Sequence, residues 1–87
     1  MSQHVVVGIH VTDRLAKAGD VQKVLTDFGC NIKTRIGLHE ANAQGCSPAG
    51  IILLEIYGGE KVLAELKQRL AAIAGIEVQA MVFNHAR

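Results

Sequence analysis

The order in which two hydrophobic periodicities alternate constrains the fold of this chain more than any other feature. Apolar residues at every second position, or a short continuous apolar run, predict strands in four segments: 4–11, 31–39, 51–57 and 76–83. Apolar residues three and four positions apart predict helices in two segments: 15–28 and 60–74. The predicted order is therefore strand, helix, strand, strand, helix, strand.

Polar residues and glycines mark the ends of the predicted helices. Thr12 and Asp13 offer an N-cap for the first helix, and Gly29 offers its C-cap. Gly75 ends the second helix in the same way.

This order predicts an α+β fold, the ferredoxin-like βαββαβ sandwich, with both helices on one face of an antiparallel sheet. Right-handed crossovers place the strands in the spatial order 4-1-3-2. The first and third strands are the most apolar, as expected for the two central positions of that sheet. The prediction is a single domain that spans residues 1–87.

The small size of the chain favours self-association. A domain of 87 residues has one core and buries only a modest share of its surface, so contact with another copy adds buried area. We therefore expect a homo-oligomer, a dimer or a tetramer.

The charge of the chain argues against binding of nucleic acids. Nine basic and eight acidic residues give a net charge of +1, and no run of like charges forms a patch for a phosphate backbone. Only three aromatic side chains are available to stack on bases: Phe28, Tyr57 and Phe83. Direct binding to DNA or RNA is not expected.

The first residues predict the compartment. The apolar run of residues 5–7 is too short for a signal peptide or a membrane span, so a cytoplasmic location is expected. The two cysteines are then expected to be reduced, with Cys30 buried as a small apolar residue.

The polar segment GLHEANAQGCSPAG, residues 37–50, is the part of the chain that looks least like scaffold. It contains His39, Glu40 and Cys46 between two apolar runs, and a connection of this length is usually functional or disordered. The predicted fold also brings His10 to the same end of the sheet, on the same helix-free face as His39. Imidazole, thiolate and carboxylate groups are ligands of transition metals. The segment therefore predicts one of three things: a metal site of His10, His39, Glu40 and Cys46, a lid over a small organic ligand, or a wide turn.

The sheet face that carries no helices is predicted to be an interface, because it mixes large apolar groups with few charges. Its predicted members follow from the alternation in each strand: Val6, Gly8, His10, Lys33, Arg35, Gly37, Ile51, Leu53, Glu55, Tyr57, Gln79, Met81 and Phe83. A second copy is expected to cover this face, or to pair with an edge strand.

Three stretches carry a resemblance to a known family: VTDRLAKAGDVQKVLTDFGCNIKTRIGLHE, GIILLEIYG and LKQRLAAIAGIEVQAMVF. Together they resemble the ACT-like, ferredoxin-fold iron-only hydrogenase system regulators over nearly the whole chain. The resemblance implies a regulatory or sensing domain that self-associates.

Two related folds add to what the resemblance implies. ACT domains bind amino acids at subunit interfaces near the loop after the first strand, which here contains Thr12, Asp13 and Arg14. The fold is also similar to the C-terminal half of nickel-responsive repressors, but those carry an H-x-H pair followed by a cysteine, where this chain has His39 and Cys46. The predicted ligand-binding residues are thus Thr12, Asp13 and Arg14 of this loop, together with His10 and His39 from the predicted topology.

The expected function is therefore a small regulatory or sensor domain that binds a small ligand or a transition metal at a subunit interface. One alternative is an oligomerisation or protein-partner module without a ligand. Another is a small enzyme that uses His10 as its general acid–base group. No nucleophile, base and orienting group can be read together, so an enzyme is not expected.

Overall fold

The computed structural model describes residues 3–12, 14–42 and 45–84, with the side chains of all these residues except 14, 15, 38–42 and 45–49. The elements follow the predicted order: β1 Gln3–Val11, α1 Arg14–Asp27, a 3₁₀ turn Gly29–Asn31, β2 Ile32–Asn42, β3 Gly45–Ile56, α2 Gly59–Ala71 and β4 Ile76–Asn84. Neither helix in these ranges is long and apolar enough to cross a membrane.

The four strands form one antiparallel sheet in the order β2-β3-β1-β4. This confirms the predicted ferredoxin-like arrangement, since it is the order 4-1-3-2 counted from the other edge. The apolar strands β1 and β3 occupy the centre, and the more polar strands β2 and β4 form the edges.

Both helices pack on the same side of the sheet and share one hydrophobic core with it. Alternate residues of β1 face the helices, and Val7 and Ile9 are 0% exposed, as are Leu66 and Leu70 of α2. The remaining buried core residues come from all the layers: Val5, Val11, Val21, Val24, Leu25, Phe28, Leu54 and Ile56. β-Branched residues suit such a half-buried pleated surface, which explains the valine-rich β1.

The end of α1 differs from the predicted glycine cap. Positive φ angles occur at Gly58, Gly59 and Gly75, and Gly29 does not adopt one. The chain instead continues into the 3₁₀ turn, where the Asn31 N–H donates to the Phe28 carbonyl at 2.8 Å. Cys30 lies in this turn and is exposed, so its predicted burial is wrong.

The polar segment 37–50 is not a long loop. β2 continues to Asn42 and β3 begins at Gly45, and Asn42 pairs with Gly45 across the two strands. Polar residues hold this hairpin because the ladder is made by backbone groups, which pair whatever the side chains are. The predicted wide turn of about a dozen residues is therefore wrong, and the lid over a small organic ligand stays a prediction.

A β-bulge changes which residues of β2 lie on each face. Ile32 pairs with Ile56, but Thr34 pairs with Glu55, so Lys33 is an extra residue in β2. Beyond the bulge, Arg35 pairs with the buried Leu54, on the side of the helices.

The predicted face assignment of β2 is consequently wrong for Arg35, Gly37 and His39, since an extra residue moves every later position to the other side. Ile36 takes the helix-free side instead and is 49% exposed. The assignments in β1, β3 and β4 agree with the observed registers.

Candidate functional site

A groove on the helix-free face surrounds His10. It has a volume of about 290 Å³ and is lined by Gly8, His10, Ile51, Glu77 and Gln79, and we call it the His10 groove. The strand registers create it, because His10 pairs with Ile51 on one side and with Glu77 on the other. His10 belongs to a central strand, so both neighbouring strands hold its backbone in place.

Gly8 forms the floor of the His10 groove. It pairs with Leu53 on one side and with Gln79 on the other. A methyl group built on Gly8 would stand 3.7 Å from the Leu53 Cδ2 atom and 3.9 Å from the Gln79 carbonyl oxygen. These are ordinary contacts, so the glycine is not required by the backbone, and its effect is to leave space beside His10.

The polar groups of the His10 groove are an imidazole, a carboxylate and an amide. Gln79 Nε2 donates a hydrogen bond of 2.9 Å to Glu77 Oε2. This bond holds the Glu77 side chain along β4, on the strand position directly opposite the exposed His10. An imidazole nitrogen and a carboxylate oxygen that share one groove can coordinate a metal ion or hydrogen-bond to a polar ligand.

Large apolar side chains are exposed along the same face, from Ile51 beside the groove to Phe83 at the far end of β4. On the helix-free face, Ile51 is 40%, Met81 55% and Phe83 51% exposed, and Ile36 of β2 adds to the same surface. At one end of the face, Lys33 Nζ lies 3.5 Å from Glu55 Oε2 and 5.4 Å from the centre of the Tyr57 ring. The charges at that end are therefore paired with each other, and the row between them and His10 contains Leu53, Gly8 and Gln79.

His39 lies at the predicted end of the sheet but not on the predicted face. It pairs with Gly50, in the row that continues to Val11, whereas His10 lies in the adjacent row with Ile51. Adjacent rows alternate between faces, so the register assigns His10 and His39 to opposite sides. The shared-face prediction failed because the bulge at Lys33 was not predicted.

Several predicted ligand groups lie outside the described residues. The side chains of Arg14, His39, Glu40 and Cys46 are not described, and neither is Asp13. Among the residues whose side chains are described, no three His, Cys, Asp or Glu lie close enough together to hold a metal. The four-ligand metal site stays a prediction.

Thr12 follows β1 at the same end of the sheet. Its N–H donates to the Gly75 carbonyl at 3.0 Å, and its side chain is exposed. This bond closes the junction between β1 and β4, whose last ladder pair is Val11 with Ile76. Thr12 is thus near His10 in the chain, and its backbone has a structural role.

The sequence prediction did not assign Glu77 to a site. The available signal was the alternation of β4, which places Glu77 on the same face as Gln79 and Met81. Its position opposite His10 depends on the register between β1 and β4, which are distant in the chain. No short turn sets that register, so the alternation alone was insufficient.

Comparison with known proteins adds information about the fold. No family model and no curated protein sequence matches this chain. The structure is similar to that of uncharacterized protein TM1266 from Thermotoga maritima, with a TM-score of 0.79 and 21% identity over 95% of this chain and 100% of that one. An unknown protein from Galdieria sulphuraria is similar with a TM-score of 0.56 and 15% identity, over 98% of this chain and 47% of the other. At these identities the likeness shows a shared ferredoxin-like α+β fold.

Proposed function

We propose that this protein is a small regulatory domain that self-associates and binds a transition-metal ion in the His10 groove, at the boundary between copies. The observation that carries the proposal is a groove with an imidazole and a carboxylate near one end of a sheet face that exposes large apolar side chains. The regulatory part of the proposal comes from the resemblance to the iron-only hydrogenase system regulators.

The apolar side chains of the helix-free face support self-association. Met81 and Phe83 are each more than half exposed, at 55% and 51%. Contiguous apolar surface of this kind usually marks an interface or a ligand groove. An 87-residue domain also gains stability from additional buried area.

The edge strand β4 supports a second mode of self-association, in which two copies pair at the edge of the sheet. β4 has nine residues, of which Glu77 is the one charged residue, and it contains no proline or glycine. Long edge strands that lack prolines and have few charged residues tend to pair with another strand. Two identical strands can pair antiparallel about a two-fold axis, which is the usual symmetry of dimers.

The position of His10 supports ligand binding at the same boundary. Met81 and Phe83 follow Glu77 and Gln79 on the same face of β4. A copy that covers this face also covers the groove, and exclusion of water strengthens the polar contacts within it. His10 and Glu77 provide a nitrogen and an oxygen ligand for zinc, nickel or iron(II).

Sedimentation velocity tests self-association. The wild type is expected to sediment as a dimer or tetramer at micromolar concentration, and Met81→Lys is expected to shift it towards the monomer because a buried unpaired charge opposes association. Ala64→Lys is the matched control, since it adds the same charge on an exposed position of α2. A monomeric wild type, or equal effects of the two substitutions, contradicts the proposal.

Calorimetric titration with zinc, nickel and iron(II) tests the ligand. Binding tighter than millimolar is expected for one of these ions. His10→Ala is expected to weaken it by at least about tenfold, because even the loss of an outer-shell partner of a metal ligand costs about 10–100-fold in affinity. His4→Ala is the matched control, because His4 is another exposed histidine of β1, opposite Phe83 at the far end of the strand.

Three outcomes of this titration have distinct meanings. Absence of binding tighter than millimolar, or an equal loss in His4→Ala, contradicts the metal proposal. Loss in a His39→Ala, Cys46→Ala double variant instead of in His10→Ala would move the site to the hairpin.

An oligomerisation module without a ligand is the second candidate function. It is favoured by the exposed apolar side chains of the helix-free face. A partner can cover these side chains whether or not the His10 groove holds a ligand. Self-association that is retained without any metal binding would support it. We propose binding and not catalysis, and a His10→Ala variant assayed against metabolite pools separates a binder from an enzyme.

A further inference from the structure

A second groove lies on the other side of the sheet, between α1 and the strands β2 and β3. It has a volume of about 410 Å³. Its apolar floor and wall are formed by Val11, Val21, Ile52 and Gly19, and its polar groups are Gln22 and Arg35. We call it the Arg35 groove. The volume falls within the range of about 300–1,000 Å³ that is typical of small-molecule sites.

Two small residues of α1 keep this groove open. Ala18 and Gly19 both line it, and a methyl group built on Gly19 would have no heavy atom within 4 Å. Glycine inside a helix lowers its stability by about 1 kcal/mol relative to alanine. Gly19 is therefore unfavourable for α1 itself, and its missing side chain leaves open space at its part of the groove.

The β-bulge places a guanidinium at the rim of this apolar space. After the extra residue Lys33, Arg35 pairs with the buried Leu54, on the helix-covered side. Arg35 Nη1 donates a hydrogen bond of 2.9 Å to Gln22 Oε1 of α1. The bond orients the planar guanidinium, which has five N–H donors in all.

We propose that the Arg35 groove binds a small monocarboxylate with a short branched hydrocarbon tail. Arginine pairs bidentately with a carboxylate, and the pair is stronger than a neutral hydrogen bond. The partly exposed Ile52 and the exposed Ala18 offer apolar contacts to a hydrocarbon tail, above Val11 and Val21, which are 3% and 2% exposed at the floor. A neutral apolar ligand would leave the other guanidinium N–H donors unused, and a phosphate would make no contact with the apolar walls.

This site is independent of the His10 groove. Arg35 and Val11 belong to the helix-covered side of the sheet, whereas His10 belongs to the helix-free side. Occupancy of the Arg35 groove therefore requires neither self-association through the helix-free face nor a metal ion.

Amide chemical-shift titration of the wild-type chain with 4-methylpentanoate tests the proposal. Saturable shifts are expected at Val11, Gly19, Gln22, Arg35 and Ile52. The neutral 4-methylpentanamide and the tail-less acetate are both expected to bind at least about tenfold more weakly, because each lacks one of the two recognised groups.

Two variants and one control separate the guanidinium from general charge. Arg35→Gln is expected to weaken binding of 4-methylpentanoate by about tenfold or more, the range for loss of a hydrogen bond to a charged group. Lys33→Gln removes the same charge two positions away, on the helix-free face beside Glu55, and is expected to leave binding unchanged. Gly19→Leu fills the groove from a helical position and is expected to abolish binding while α1 is retained.

Any of three results would overturn the proposal. These are the absence of saturable shifts with millimolar 4-methylpentanoate, equal weakening by Arg35→Gln and Lys33→Gln, and undiminished binding by Gly19→Leu. A far-ultraviolet circular dichroism spectrum of each variant confirms that the comparison is between folded proteins.

Discussion

At the scale of single residues, the turn before α2 depends on Gly58. This residue has a φ of +113°, which is unfavourable for any residue with a side chain. Asn31 closes the same turn from the other side, since its Nδ2 donates to the Tyr57 carbonyl at 3.1 Å and its carbonyl accepts from the Tyr57 N–H at 2.8 Å. A Cβ atom on Gly58 would overlap Val62 Cγ2 and press on Asn31 Nδ2.

We predict that Gly58→Ala destabilises the protein by about 2–4 kcal/mol, because left-handed backbone strain and the overlap with Val62 act together. Gly59→Ala is the matched control: Gly59 also has a positive φ, of +73°, but has open space around its Cβ position. Its expected loss is only the strain, about 1–2 kcal/mol. Urea denaturation measures both, and equal losses would show that the contact with Val62 is relieved without cost.

At the scale of elements, two kinds of contact join the helices to the rest of the molecule. Arg69 of α2 bonds Asp27 of α1 at 2.7 Å and lies 5.5 Å from the centre of the Phe28 ring. Both charged side chains are exposed, at 41% and 47%, so water and salt weaken their attraction. Leu66 and Leu70, by contrast, are 0% exposed in the core.

We predict that Leu66→Ala lowers the free energy of unfolding by about 2–5 kcal/mol, through lost apolar burial and a remaining cavity. Arg69→Gln is expected to lower it by less than about 1 kcal/mol, as for other exposed ion pairs. Chemical denaturation at low and high salt checks both values, and the Arg69→Gln difference should shrink as salt is added. An Arg69→Gln loss as large as that of Leu66→Ala would mean that the ion pair, and not the core, holds the helices together.

The element that sequence reasoning described least well is β2. Its alternation of Ile32, Thr34, Ile36 and Leu38 predicts one uninterrupted strand, yet the bulge adds Lys33 after Ile32. Neither glycine nor proline marks that position. The bulge depends on pairing with β3, which is a tertiary effect, so the period-two pattern of β2 alone could not reveal it.

At the scale of the whole molecule, the topology was predictable and the site was only partly so. Element order, crossover handedness and the apolar character of β1 and β3 together restrict the sheet to the observed order. His10 follows from that topology. Its neighbour Glu77 does not, because the register of β1 against β4 is set by packing between segments that are distant in the chain.

The described molecule is elongated, with extents of 49 × 25 × 18 Å. β3 has 12 residues and α1 has 14, so at about 3.3 Å and about 1.5 Å per residue the strand is roughly twice as long as the helix. The helix layer therefore covers only part of the sheet, and the β2–β3 hairpin extends beyond it.

The extra residue in β2 has a consequence for insertions and deletions at this edge. Side chains alternate between the two faces of a strand, so removal of Lys33 would exchange the two faces of β2 from Thr34 to His39, where the next register shift occurs. Arg35 would then lie on the helix-free face, and Ile36 would lie on the face that carries the helices. One backbone unit thus decides whether this rim of the molecule offers a cation or a hydrocarbon to whatever approaches it.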